Sequence, residues 1–197
     1  MAAEQCADQV RKTLAVDRGP LRNKALGELF DTRKESFRQS IAERNALPYG
    51  MRVGRDNSPA DKIAARSRWS HDRRFEIARA LGDAIFDSRG RIGPMGEAGT
   101  ARQKFQKAFA QSLLCPLDDL IGYLGDDASD SALSATALHF HVSEHMIRTV
   151  LVNKKFIGRE RLLGSDRRTV SDGDLEAQAE AARGPATRQG ERRSPGA

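Results

Sequence analysis

The sequence predicts a mainly helical α+β domain, and three observations carry that reading. Apolar residues recur at three- and four-residue steps along most of the chain, the pattern of helices that bury one face. Only the stretch Tyr49 to Val53, bounded by Pro48 and by the turn-forming run Gly54 to Pro59, has the character of a strand, so a small sheet is expected near residues 48–65. At 197 residues, 39% hydrophobic and 30% charged, the chain can form one substantial core with a small attached module.

Taken in order, residues 2–46 read as helices, with Val10, Leu14, Leu26, Leu29, Phe30, Phe37 and Ile41 at helical spacing and Gly19-Pro20 as punctuation. From Asp72 to Phe86 the residues Phe75, Ala78, Leu81, Gly82, Ile85 and Phe86 fall on one arc and predict a helix docked on the core. Ser88 to Thr100, dense in glycine and holding Pro94, reads as a loop. The next helix runs from Ala101 to Cys115 and stops at Pro116; Leu117 to Leu124 is a short one, closed by Gly125. Ser131 to Leu163 forms a further helical pair. Beyond Ser165 there is no aromatic residue and almost nothing to bury, so a disordered tail is expected, with a transient helix over Leu175 to Ala182. The predicted organisation is an N-terminal helical region 1–47, a core 48–125, a helix pair 126–164 and the tail 165–197.

Composition excludes several classes. A mean hydropathy of -0.59 and no apolar run near the roughly 20 residues a bilayer span needs argue against a membrane protein, and no secretory leader is expected after Met1. Cys6 and Cys115 lie far apart and form no C-x-x-C, which points to reduced thiols in the cytoplasm. The net charge of +6 resides in residues 1–164, since the tail carries six arginines against six acids. That surplus suits either an acidic partner or a solubilising surface.

The run Arg73-Arg74-Phe75-Glu76-Ile77-Ala78-Arg79-Ala80-Leu81-Gly82-Asp83-Ala84-Ile85-Phe86 resembles the active-site helix of the bacterial ImmA/IrrE family of zinc metallopeptidases, usually written RRFTLAHELGHALF. Gln103 to Pro116 resembles the family's second helix, E-x-E-A-N-x-F-A-x-x-L-L-x-P, and Ala137 to Arg148 resembles its A-x-x-F-x-V-S segment. The resemblance covers about residues 48–163 and implies a zincin-like fold. In that family the two histidines of HExxH hold zinc and the glutamate serves as general base. Here those positions are Arg79, Ala80 and Asp83, and the third ligand's position is Gln103 or Phe105. Arginine cannot ligate zinc and alanine cannot accept a proton, so only Asp83 offers an oxygen. The resemblance therefore implies a catalytically inactive, pseudopeptidase-type protein without a cofactor. It also implies a regulatory protein, of the repressor type, as partner.

Alternatives stand beside this. Arg79 and Asp83, four residues apart, can pair with each other near Glu76, leaving a salt-bridge cluster where the metal was. Glu76, Asp83 and Asp87 could hold a hard cation through oxygens, and His139, His141 and His145 could hold a soft one, although the turn between them specifies no convergence. A divergent metallopeptidase would have to recruit Asp83 and His71. Cys115, between Leu114 and Pro116, fits core packing better than nucleophilic work. An antitoxin-like role is indistinguishable from the regulatory one.

The segment from Ala137 onward also patterns as a helix-turn-helix, with Phe140 and Val142 flanking the turn, Ser143 as N-cap and Ile147 and Val150 buried. DNA is accordingly a second candidate partner. Glu144, His145, Arg148 and Thr149 would be the readers, with Arg148 best placed for a base, and Asn153, Lys154, Lys155, Arg159 and Arg161 near phosphates. The competing reading is a helix pair that only packs against the body.

Overall fold

Seven α-helices and a three-stranded sheet make up the described part of the chain: α1 Ala3–Thr13, α2 Asn23–Glu28, β1 Gly50–Val53, β2 Lys62–Ala64, α3 Ser70–Phe86, β3 Ile92–Met95, α4 Ala101–Leu114, α5 Leu117–Leu124, α6 Asp130–Phe140 and α7 Glu144–Asn153. A 3-10 turn, Arg159–Leu162, follows. The computed structural model describes residues 2–29, 50–53, 62–65, 67, 69–87 and 92–162, all within a first unit, Met1–Arg167. The predicted tail over 165–197 lies outside the described residues, as do Phe30, Phe37, Ile41 and Tyr49. The fold is thus mainly α with a small sheet, as the sequence predicts. Among the described residues no helix is long and apolar enough to cross a membrane.

Local chemistry sets the helix ends. The Thr100 hydroxyl accepts from the Gln103 N–H at the start of α4, and Ser129 and Ser143 do the same for α6 and α7, each satisfying a donor the helix leaves unpaired. His141 ends α6 in the left-handed region at φ 54° and turns the chain into α7. Pro116 blocks continuation of α4.

The sheet is antiparallel in the order β2-β1-β3, with Arg52 opposite Ile63 on one side and Gly93 on the other. Alternation buries Gly50 and Arg52 of β1 and leaves Val53 exposed. β3 corrects the loop expected over Ser88 to Thr100. Gly93 and Pro94 read as breakers, but β3 is an edge strand among the described residues, where the missing proline N–H is tolerated.

The core joins α1, α3, α4 and the α6–α7 pair through Ala7, Ala78, Phe109, Leu113, Leu133, Phe140 and Ile147. α3 approaches α4 at Gly82, where an added Cβ would stand 2.9 Å from the Phe109 ring. Arg11, 2% exposed, reaches across from α1 to the Leu113 carbonyl at 2.8 Å and the Gly19 carbonyl at 2.6 Å, capping the end of α4. Cys6 and Cys115 are buried free thiols, and burial pushes the Cys115 thiol up, reinforced by Asp119, so it is no nucleophile.

Replacing Gly82 by alanine tests the α3–α4 contact. The substitution gains about 1 kcal/mol of helix propensity but forces Phe109 aside at about 1–3 kcal/mol. Net destabilisation is expected, read as a lower urea midpoint with an unchanged slope.

Candidate functional site

α3 carries the residues that the sequence singles out, and the sheet and α4 close around them. Asp83 is fully buried and accepts four hydrogen bonds. Arg52 Nε from β1 reaches Oδ2 at 2.8 Å. Arg102, in the first turn of α4, donates from Nε to Oδ1 at 2.5 Å and from Nη2 to Oδ2 at 2.9 Å, a two-pronged grip that suits the guanidinium fork. Gln106 Nε2 reaches Oδ1 at 2.6 Å. Gly93 makes the approach possible, since a Cβ there would fall 1.7 Å from Oδ2. Burial works to raise the Asp83 carboxyl, but the bonds from Arg102, Arg52 and Gln106 outweigh it and hold the group below the usual carboxylate range.

Arg79 does not pair with Asp83, which corrects the four-residue pairing that spacing suggests. Its Nη2 donates to the Gly96 carbonyl at 2.6 Å and to Gln106 Oε1 at 3.4 Å, and its Nη1 lies 3.5 Å from Glu97. Gln106 therefore bridges the two positions, accepting from Arg79 and donating to Asp83. Neither Gln103 nor Phe105, the two positions at which motif register seeks a third ligand, makes this contact. Gln103 is buried with Oε1 unpartnered, and Phe105 lies against Phe86 and Phe109. Ala80 is completely buried in the core.

α4 also closes the edge of the sheet. Arg102 Nη2 donates to the Ile92 carbonyl at 3.2 Å and Gln106 Nε2 to the Pro94 carbonyl at 3.3 Å, so two acceptors of β3 are already engaged. Arg52, Arg102 and Gln106 are the residues that sequence reading missed. Gln106 alone left a signal: it shares the buried stripe of α4 with Gln103, Phe109, Ala110 and Leu113.

The helix pair places its candidates unevenly. Arg148, the preferred base reader, is 5% exposed and donates to Glu144 Oε1, to Asp130 Oδ1 at 3.0 Å and to the Arg161 carbonyl at 3.2 Å. It joins α6, α7 and the 3-10 turn, which corrects its expected place on a groove-reading face. Glu144 also accepts from the Ser134 hydroxyl at 2.5 Å, and Lys154 pairs with Glu4 at 2.8 Å. Thr149 donates to the His145 carbonyl. His145 and Lys155 are exposed.

The metal alternatives find no geometry. His139 stacks on Tyr123 with ring centres 4.0 Å apart, His141 sits in the turn, and His145 is on the outer surface of α7. His141 is held below the ordinary imidazole value by burial, then by Arg74 and Arg22. Asp83 and Asp87 share Arg102, a cation in the place a metal would need. His71 and Asp83 are separated by roughly 18 Å along one helix at 1.5 Å per residue, too far to share an ion. Among the described residues no group of three or more His, Cys, Asp or Glu is arranged to hold a metal ion.

Compared with protein-family models, with curated proteins and with solved structures, the chain gives no match in any of the three.

Asp83→Asn should remove the carboxylate that Arg52 and Arg102 share and lower stability by about 3–5 kcal/mol, the range for breaking a buried pair. The deficit should depend on pH in a defined sense. Because the folded carboxyl lies below its ordinary value of 3.8, wild type holds its full advantage above that pH. The advantage declines as pH falls through the folded value, where the native carboxylate too is protonated. Urea titrations of both proteins from pH 7 to pH 2.5 measure the difference; a gap independent of pH would refute the charge account.

Proposed function

We propose that this chain is a non-catalytic relative of the zincin-like ImmA/IrrE peptidases that acts as a regulatory module by holding a protein partner. One observation carries the proposal: the carboxylate at the second metal-ligand position of the resemblance, Asp83, is buried and saturated by Arg52, Arg102 and Gln106. A zinc ion there would meet two fixed cations, and arginine remains protonated throughout the accessible pH range. Arg79 and Ala80 at the first-ligand and general-base positions support the same reading, since neither can activate water.

A protein partner is favoured over DNA by the burial of Arg148 and the pairing of Lys154 with Glu4, which leave fewer cations for a phosphate backbone. A repressor-type regulator remains the partner class that the resemblance implies, and the cytoplasm the compartment that the two free thiols imply.

Elemental analysis of untagged protein, purified without chelator, tests the reading. Zinc well below one equivalent is expected, together with a thermal midpoint unmoved by added zinc or by EDTA, because a metal bound to the native state alone would raise it. Stoichiometric zinc that disappears in Asp83→Ala would overturn the reading and restore the metallopeptidase.

A further inference from the structure

Arg79 is 3% exposed, yet among the described residues the one carboxylate within ion-pair distance of it is Glu97, whose side chain is 83% exposed; Glu76, one turn earlier on α3, acts on it only through space. Glu97 lies in the stretch between β3 and α4 and spans two cations, with Oε1 at 3.5 Å from Arg79 Nη1 and Oε2 at 2.6 Å from Lys107 Nζ. The contact with Arg79 is long and one-sided, short of the two parallel bonds that a guanidinium offers a carboxylate. An exposed carboxylate gains little from such pairing in water and is readily displaced.

Two buried polar atoms at the same place lack a partner: Arg79 Nε, a donor, and Gln103 Oε1, an acceptor. Both side chains flank Gly96. Arg79 holds its carbonyl at 2.6 Å, and Gln103 Nε2 stands 3.4 Å from where a Cβ would be. Buried groups of this kind are nearly always satisfied in native proteins, and a donor and an acceptor left open on two side chains that share Gly96 as neighbour are complementary to a carboxylate accompanied by an N–H. Residues 97–100 above them are all exposed, and a Cβ on Gly99 would meet nothing within 4 Å.

We propose that this corner is a carboxylate-binding site for an acidic segment of a partner protein, and that Glu97 is the chain's own stand-in for the ligand. The incoming carboxylate takes the Arg79 Nε and Nη1 edge and Lys107, and the adjoining peptide N–H donates to Gln103 Oε1. The proposal rests on the reading of a protein-binding module and names the chemistry of the partner.

The probe is acetyl-Glu-Glu-Glu-Glu-amide, with its all-glutamine counterpart as control, titrated into the full chain. The readout is the NMR resonance of the Arg79 Nε–H together with the backbone amides, so that shifts confined to Arg79, Gly96 and Lys107 mark the site, with affinity from the same curves. Glu97→Gln removes the competitor and is expected to tighten binding about threefold, the scale of one exposed ion pair. Lys107→Met should abolish the gain, whereas Lys104→Met, an equal charge loss on the same helix, should not. The glutamine peptide should leave the resonance in place. An unmoved Arg79 resonance, an affinity unchanged by Glu97→Gln, or equal losses in Lys107→Met and Lys104→Met would overturn the proposal. Metal content distinguishes the two levels: a protein without zinc that fails this titration retires the carboxylate site alone, while stoichiometric zinc retires the non-catalytic reading.

Discussion

Among the described residues Asp83 is the one buried acid, and six arginines are buried with it: Arg11, Arg52, Arg73, Arg74, Arg79 and Arg148. A buried cation without compensation is severely disfavoured, so the arrangement of the core depends on how those guanidiniums are satisfied. Asp83 takes Arg52 directly and draws in Arg102, and in doing so it fixes the sheet, α3 and α4 to one another. The constraint reaches into the backbone. β3 must carry glycine at Gly93 because any side chain there would collide with the Asp83 oxygens, and β3 in turn presents its carbonyls to Arg102 and Gln106.

Arg148 is held by Glu144 and Asp130, and the other buried arginines chiefly by main-chain carbonyls at the ends of elements. Arg11 reaches Leu113 and Gly19, Arg73 reaches Ser67, and Arg79 reaches Gly96. Arg74 holds the Leu21 carbonyl, the Asn23 side chain and the His141 carbonyl, tying the start of α2 and the α6–α7 turn to α3. Burial lowers the Arg74 guanidinium to about 10, which still leaves it charged at neutral pH. Arg11, Arg74 and Arg79 join segments distant in sequence, and each closes acceptors that a helix or turn would otherwise leave unpaired. With five donors in a fixed fork, arginine does this where lysine, a single point charge, could not.

This explains which parts of the structure were legible in the sequence. The helices were, because their apolar spacing is a local property: α4 ends at Leu114 before Pro116, α5 occupies Leu117–Leu124 as read, and Ser143 caps α7. β3 was not, since Gly93 and Pro94 break the local rules and are tolerated only through an edge position and a long-range contact with Asp83. Arg52 and Arg102 were not, because an arginine in a strand or in a first helical turn reads as solvated surface until its partner is known. Arg148 was misread for the converse reason. Its exposed character in the helical pattern is reversed by Glu144 and Asp130, and the latter lies 18 residues away.

The charge held at this site bears on what the site attracts. A zinc centre gathers neutral or anionic ligands around a cation and leaves room for water. Here Asp83 lies between Arg52 and Arg102, while Arg79 turns to Gly96 and Glu97 and Lys107 stands at the rim, so the cations are fixed side chains in place of an ion and each has an acid near it, Glu76 included. Glu97 and Asp87 meet these cations from the surface side. With Asp83 fully engaged, the polarity that this corner turns to solvent depends on Glu97, whose side chain is 83% exposed; once it is displaced, Arg79 and Lys107 are left to an acidic visitor. Such a displacement needs no rearrangement of helices, because Asp83 and Gln106 hold α3, α4 and β3 in register.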